Sequence, residues 1–480
     1  MRLNELLQKE VKNNFEIKGL TADSRSVAPG YLFAALPGTQ VDGTHFIKAA
    51  ISSGASAILA PADYDESTLL VPAVEIVRSG NVKQAFSLLA ARFYGKQPSH
   101  LSAVTGTNGK TSIAWFTQAI WQKLGHKAAS FGTLGAVPAE VTNENIALTT
   151  PDTVTLHKAL ADAVDQNVSH LIFEASSHGL EQHRLDGLSI TSASFTNLSR
   201  DHIDYHGSME NYLEAKSRLF SELLPNDGTA VLNADIDQYE SLKKHCSRTF
   251  SYGFSGKELR LVSQKPTAAG QDLELDLFGQ KSNLSIPLIG SFQAMNLICA
   301  LGIAVAEGDD PTKILALLPE LEGVPGRLEQ TATDRDRSKS VVVDYAHTPD
   351  ALENAIAALK PHCHGRLIVV FGCGGDRDKG KRPQMGAVTE RLADIAIVTD
   401  DNPRSEDPST IRAEALAAAP SAIEVGDRRD AIYESMTMAR EGDIVLIAGK
   451  GHETGQTVGD ITIPFDDKEV TQAAAKTLWQ

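Results

Sequence analysis

A short apolar run, Leu101-Ser102-Ala103-Val104, leads into Thr105-Gly106-Thr107-Asn108-Gly109-Lys110-Thr111, and an amphipathic stretch follows. No other feature restricts the possible folds of this chain as much. After the loop, Ile113, Phe116, Ile120 and Leu124 recur at helical spacing, and Gly125 supplies a stop. Strand, glycine loop, Lys-Thr, helix is the context of a phosphate-binding loop. Glycines allow backbone N–H groups to turn onto an anion, and the helix N-terminus adds partial positive charge. Gly106, Thr107, Asn108, Gly109, Lys110 and Thr111 are therefore the expected nucleotide-phosphate site. Lys110 would reach the outer phosphates, and the Thr111 hydroxyl would ligate Mg²⁺. Gly106 precedes Gly109 by three residues, a tighter loop than the usual form.

The chain is long enough, at 480 residues, for two to four domains. Its net charge of −16 argues against a general nucleic-acid binder. An anionic substrate must then be held by local positive groups. Four cysteines without paired CxxC spacing fit a reducing cytoplasm rather than a disulfide framework or zinc ribbon. No apolar run reaches transmembrane length and the N-terminus has no signal-peptide core, so no membrane insertion is expected.

Three segments can be separated, 1–95, 96–326 and 327–480. The first holds Asp23-Ser24-Arg25, a turn at Pro37-Gly38-Thr39, and a helix-then-strand pattern through Ala49–Leu59. The second carries the phosphate loop and two apolar strands ending in polar clusters, at 170–176 and 190–197. The third alternates strand, loop and helix, with strand candidates at 340–344, 366–371, 395–399, 422–425 and 444–448. Such alternation reads as parallel sheet covered by helices. The fold expected is α/β. It has three domains, with a central P-loop ATPase-type parallel sheet and a C-terminal Rossmann-like domain. Ligands bind such sheets beyond the carboxyl ends of strands, where the unusual residues fall.

Glu174 closes the run Leu171-Ile172-Phe173 and opens Ala175-Ser176-Ser177-His178. A carboxylate there suits a Mg²⁺ site, or equally a cap or ion pair. The cluster Thr196 to His206 follows the next strand, and His202 is a better metal candidate than His206. Lys216 lies on an apolar stripe with Leu213, Phe220 and Leu224. A lysine so placed commonly snorkels its head to solvent. The alternative is a lysine turned toward the site, where it must be modified or act on phosphate, because an ammonium repels Mg²⁺.

Several motifs in order resemble the Mur ligases. They are Gly106 to Thr111, Glu174 to His178, and Asp201-His202-Ile203-Asp204-Tyr205-His206 followed by Lys216. Further on come Gly323-Val324-Pro325-Gly326-Arg327, Asp344-Tyr345-Ala346-His347, Gly374-Gly375-Asp376-Arg377 and Asp401-Asn402-Pro403-Arg404. The resemblance spans nearly the whole chain. It implies a cytoplasmic ATP- and Mg²⁺-dependent ligase of peptidoglycan precursor synthesis, expected as a monomer. Such an enzyme activates the terminal carboxylate of UDP-MurNAc-L-Ala-D-Glu as an acyl phosphate, and an incoming amino acid then attacks it.

The resemblance also implies roles. Lys110 acts on the moving phosphoryl group, and a second metal is held by Glu174, His202 and a carbamylated Lys216. Asn296 meets adenine, while Arg327 and Asp344 reach phosphate and ribose. The UDP-sugar peptide runs past Ser24, Thr149, Thr150, Ser176, Gln182 and Arg184. The Asp401-Asn402-Pro403-Arg404 form resembles that of members accepting meso-diaminopimelate. Arg377 and Arg404 would then hold its carboxylates, because a guanidinium fork matches a carboxylate. Gly449 and Glu453 complete the pocket, with Glu453 at the distal ammonium. Arg404 could otherwise pair with nearby Glu406 or Asp407. A folylpolyglutamate synthase, which shares the acyl-phosphate chemistry, is the nearest rival and lacks this arginine motif. A non-catalytic nucleotide-binding protein is disfavoured by the retained lysine, glutamate and histidine set.

Overall fold

The computed structural model describes residues 1–38, 41–68, 74–267, 270–336 and 338–479. The chain gathers into two compact units. One contains Met1–Lys257 and Cys299–Ile314, the other Glu258–Ile298 and Leu315–Gln480.

The first unit contains two sheets. Four parallel strands, Gly19–Thr21, Tyr31–Ala34, Ala57–Pro61 and Glu75–Ser79, lie side by side in chain order. Leu32, Leu59 and Val77 share a core with Phe86 and Leu89 of the helix Val82–Tyr94. The turn expected at Pro37-Gly38-Thr39 runs beyond the described residues at Thr39. Seven strands of the larger sheet belong to this unit, in the order Arg248–Gly253, Thr229–Asn233, Ser192–Phe195, His100–Thr105, His170–Glu174, Ala128–Gly132 and Gly135–Val137. The pairings among these seven are parallel except the last. Leu101, Ala103, Leu171, Phe173, Ala193 and Phe195 join one core, and burial on both faces explains why these strands read as continuous apolar runs.

Register places the site. Val104 lies opposite Glu174, and Thr105 opposite Phe195. The phosphate loop, Glu174 and the Thr196 loop thus leave one sheet edge together. The strands expected at 170–176 and 190–197 are shorter, His170–Glu174 and Ser192–Phe195. Beyond them Ser176 caps the helix Ser177–Glu181 instead of extending a ladder.

In the second unit six strands are ordered Glu329–Thr333, Ser340–Asp344, Ile444–Ala448, Leu367–Cys373, Ile395–Asp400 and Ile423–Glu424. Only the first is antiparallel to its neighbour. Each of the five expected strands is present, two with the expected ends, 340–344 and 444–448, and three with ends shifted by a residue or two. Three strand elements were not anticipated. One is the edge strand Glu329–Thr333, another the antiparallel meander Leu259–Thr267, Gly270–Leu277 and Gln280–Ile286. The third is the hairpin of Gly455–Val458 with Ile461–Pro464.

The fold also carries a pH liability. His157, on the helix Thr153–Asp165, is 1% exposed, and burial pulls its pKa down to about 4. Below pH 6.5 the unfolded chain takes up a proton that the folded one refuses. The contribution is therefore complete above pH 6.5 and fades as pH falls toward 4. Urea unfolding at pH 7 and pH 5 should show wild type losing about 2 kcal/mol more than His157→Met. Equal losses would show that His157 does not titrate with unfolding.

Candidate active site

The loop after His100–Thr105 is shaped by two glycines at positive φ, Gly106 at 137° and Gly109 at 90°. A Cβ on Gly106 would collide with the Thr196 hydroxyl. The neighbouring Thr196–Ser199 segment fixes the loop. The Thr107 and Asn108 N–H groups donate to the Asn197 backbone and side-chain oxygens, both at 2.9 Å. The Thr196 hydroxyl donates to the Asn108 carbonyl at 2.6 Å. Lys110 opens the helix Lys110–Lys123 and folds back, donating to the Gly106 and Thr107 carbonyls at 3.0 and 2.8 Å. Burial pushes its pKa down, and the charges of Glu174 and Asp201 oppose that. An arriving phosphate would offer this ammonium a charged acceptor, a stronger partner than two carbonyls.

Glu174 is the last residue of its strand and is buried. It accepts from the Thr111 hydroxyl at 3.0 Å and from the Thr133 N–H at 2.8 Å. Burial raises its pKa, and Lys110 is the largest force the other way. Thr150 donates its hydroxyl to the Glu174 carbonyl at 2.7 Å and accepts from the Ser176 N–H at 2.8 Å. Arg184 donates to the Thr150 carbonyl at 2.8 Å and to the Gln182 side chain at 2.7 Å. Gln182 donates to the Tyr205 hydroxyl at 2.9 Å. Thr149 and Thr133 share a hydroxyl contact of 3.1 Å. Thus Thr149, Thr150, Ser176, Gln182 and Arg184 form one network around Glu174. Ser24 stands apart from it, in the turn Ser24–Ser26 beside the four-stranded sheet.

Lys216 does not snorkel. The helix Met209–Arg218 buries Tyr212, Ala215 and Lys216 together, leaving the lysine 1% exposed. Its amine donates to the Gly106 carbonyl at 2.8 Å and sits 4.5 Å from the Tyr212 ring centre. Burial, then the charge of Lys110, draws its pKa down to about 6. Both lysines therefore serve the same carbonyl. His202 is half-exposed at φ 52°, opening the helix Ile203–His206, with His178 edge-on at 4.8 Å. Among the described residues no three His, Cys, Asp or Glu side chains are grouped to hold a metal. The acceptor pair of Thr111 and Glu174 at the phosphate loop nonetheless suits a hard cation.

In the second unit Asn296 donates to Gln293 at 3.1 Å, and Gln293 donates to the Arg327 carbonyl at 3.3 Å. The Arg327 guanidinium lies 4.6 Å from the Tyr345 ring centre. Asp344, the last residue of its strand, accepts from the Leu328 and Ala346 N–H groups at 2.7 and 2.8 Å. Burial raises its pKa. These three expected nucleotide residues are thus neighbours.

The expected amino-acid pocket also assembles. Arg404 and Arg377 flank Gly374, where a Cβ would lie 2.9 Å from an Arg404 terminal nitrogen and 3.8 Å from Arg377 Cγ. Arg404 donates to the Gly375 carbonyl at 2.7 Å. It does not pair with its neighbours. Glu406 is taken by Arg382 at 2.8 Å, and Asp407 caps the helix Pro408–Leu416. Arg377 is exposed and donates to the Asp376 carbonyl at 3.2 Å. Pro403 is buried next to Asn402, which donates to Glu453 at 3.0 Å. A Cβ on Gly449, at φ 121°, would lie 3.1 Å from an Asp401 carboxylate oxygen. Sequence reasoning missed Thr133, Tyr205 and Lys450. Thr133 carries no signal of its own, and Tyr205 stands in the sequence only as one residue of the Asp201–His206 motif. Lys450, between two glycines, reads as a solvated loop lysine.

Family models cover most of the chain. The Mur ligase family catalytic domain matches residues 16–94, the Mur ligase middle domain 104–304, and the Mur ligase glutamate ligase domain 326–451. A UDP-N-acetylmuramoyl-L-alanyl-D-glutamate--2,6-diaminopimelate ligase of Caulobacter vibrioides is 50% identical, covering 98% of each chain. A protein of the same name from Zymomonas mobilis is 46% identical over 96% of each. A solved structure of a protein so named superposes with a TM-score of 0.74 at 34% identity, covering 99% of both chains. With these matches and the phosphate loop, Glu174 and Asp401–Arg404 in their places, the chain belongs to the Mur ligase family.

Proposed function

We propose that this chain ligates meso-diaminopimelate to UDP-MurNAc-L-Ala-D-Glu with ATP, in the cytoplasmic synthesis of peptidoglycan precursors. The observation that carries the amino-acid choice is the pocket in which Asn402 donates to Glu453 and Arg404 donates to the Gly375 carbonyl, in a chain whose full-length relatives bear that activity's name. The ATP γ-phosphoryl group passes to the terminal carboxylate of the muramoyl dipeptide, giving ADP and an acyl phosphate. The diaminopimelate amine attacks the acyl carbon, loses a proton, and phosphate departs as the amide forms.

Lys110 supplies positive charge where the phosphoryl group moves. Arg184 and Thr150 belong to a network suited to orienting the dipeptide beside Glu174. Asn296, Arg327 and Asp344 suit the adenosine and phosphate of ATP. One Mg²⁺ would be held at the Thr111 hydroxyl and a second metal by Glu174, His202 and a carbamate on Lys216, and both would offset phosphate charge. Carbamylation fits the buried Lys216 amine. Burial and the neighbouring Lys110 favour its neutral form, and adding CO₂ with loss of an amine proton to solvent would turn it into an anionic carbamate beside Lys110.

The test is a product assay over a panel of amino acids, on wild type and Arg404→Ala. Wild type should use diaminopimelate and discriminate against L-lysine, which lacks the distal carboxylate. Arg404→Ala should lower that preference by about a hundredfold or more, since an unpaired guanidinium in the pocket is what penalises lysine. Equal use of both substrates by wild type, or an unchanged ratio in the variant, would overturn the reading.

A further inference from the structure

Lys450 has no role in the chemistry above, yet it is fully buried at the centre of the amino-acid pocket. Its ammonium donates to the Asn402 amide oxygen at 2.9 Å and to the Gly455 carbonyl at 2.8 Å. It lies 3.3 Å from the Asp401 carboxylate and 3.9 Å from that of Glu453. The Asn402 oxygen also accepts from the Thr457 N–H at 2.9 Å. Two donors on one oxygen determine which way the amide points. Turned over, its NH₂ would face an ammonium and an N–H, and its oxygen would face Glu453. As it stands, the NH₂ donates to Glu453 Oε2 at 3.0 Å. Glu453 keeps a side chain 37% exposed, while Asp401 is 9% exposed.

Resting on the function proposed above, we infer that Lys450 is a positioning residue for amino-acid binding. It fixes Asn402, which aims Glu453 at the distal ammonium of the amino acid. The local charges support this. One ammonium serves two carboxylates, and the nearby Arg428 is already engaged with Asp467 at 2.7 Å. Of the two carboxylates that share this ammonium, Glu453 is the more open. An incoming ammonium is the partner an open carboxylate fits. A neutral residue at 450 would leave two carboxylates crowding each other and release the Asn402 amide.

Steady-state kinetics on Lys450→Met, with each substrate varied in turn, tests this. KM for diaminopimelate should rise about thirtyfold, while KM for ATP and for the muramoyl dipeptide, and kcat at saturation, stay within about threefold. A uniform fall in kcat with KM unchanged would mean that Lys450 is only structural, and would overturn the inference. Should Lys450→Met fail to fold, Asn402→Asp keeps a partner for the lysine but replaces the donor facing Glu453 with an acceptor. It should raise the same KM by about tenfold or more, and an unchanged KM would overturn the inference equally. Wild type that makes no diaminopimelate product would refute the proposed function itself. Wild type that makes it, with variants unaffected, refutes only the role of Lys450.

Discussion

Lys110→Ala should lower kcat by about a thousandfold or more, because the moving phosphoryl group loses its nearest fixed cation. The fold should survive the change. The Gly106 carbonyl that Lys110 occupies keeps its bond from Lys216 at 2.8 Å, and the loop stays tied to Asn197 and Thr196. The check is steady-state release of ADP and phosphate with all three substrates, alongside thermal unfolding of the variant. A variant retaining a tenth of wild-type turnover would remove Lys110 from the chemistry. Wild type releasing AMP and pyrophosphate would remove the acyl phosphate.

Lys216→Ala should cost about a hundredfold in kcat, since a metal ligand and its anionic charge are lost together. A short carboxylate such as acetate should restore part of that, by entering the space vacated in the protein interior. The direct measurement is ¹³C NMR of enzyme equilibrated with labelled bicarbonate. A carbamate signal is expected from wild type and none from the variant. Absence of the signal in active wild type would sink the carbamate. Lys216→Arg should not rescue, because a guanidinium neither takes up CO₂ nor loses its charge in the pH range of activity.

What could be read from the sequence followed locality. The phosphate loop, Glu174 and the Asp401–Arg404 turn are contiguous motifs at strand ends, so their chemistry and their place come from one short stretch. Lys450 shows the opposite case. Its partners Asp401 and Asn402 lie some fifty residues away, and only the parallel sheet brings them together. For Lys216 the stripe was visible, but it left open which way the head turns. The Tyr212 ring lies one helical turn back, but the Gly106 carbonyl that decides it is far away in the chain. The meander was missed for a different reason. Its alternation is present in Leu273, Leu275 and Leu277, but its turn is Phe278-Gly279 with φ of 51° and 86°. A phenylalanine in that conformation gives no turn signal of the Asn-Gly kind.

Arg404 sits at φ 51°, with its N–H donated to the Thr457 carbonyl at 3.0 Å and its own carbonyl accepting from Gly459 at 2.7 Å. A residue with a Cβ in this left-handed region costs about 1 kcal/mol relative to glycine. The backbone at 404 would accept glycine or asparagine more readily than the arginine it carries, yet only the arginine supplies a guanidinium. Selection for a more stable chain and selection for a discriminating one therefore pull this position in opposite directions. Evolution toward a different amino-acid substrate would meet little resistance from the fold at 404 itself. It would meet more from the hairpin Gly455–Val458 and Ile461–Pro464, whose backbone holds the turn in place.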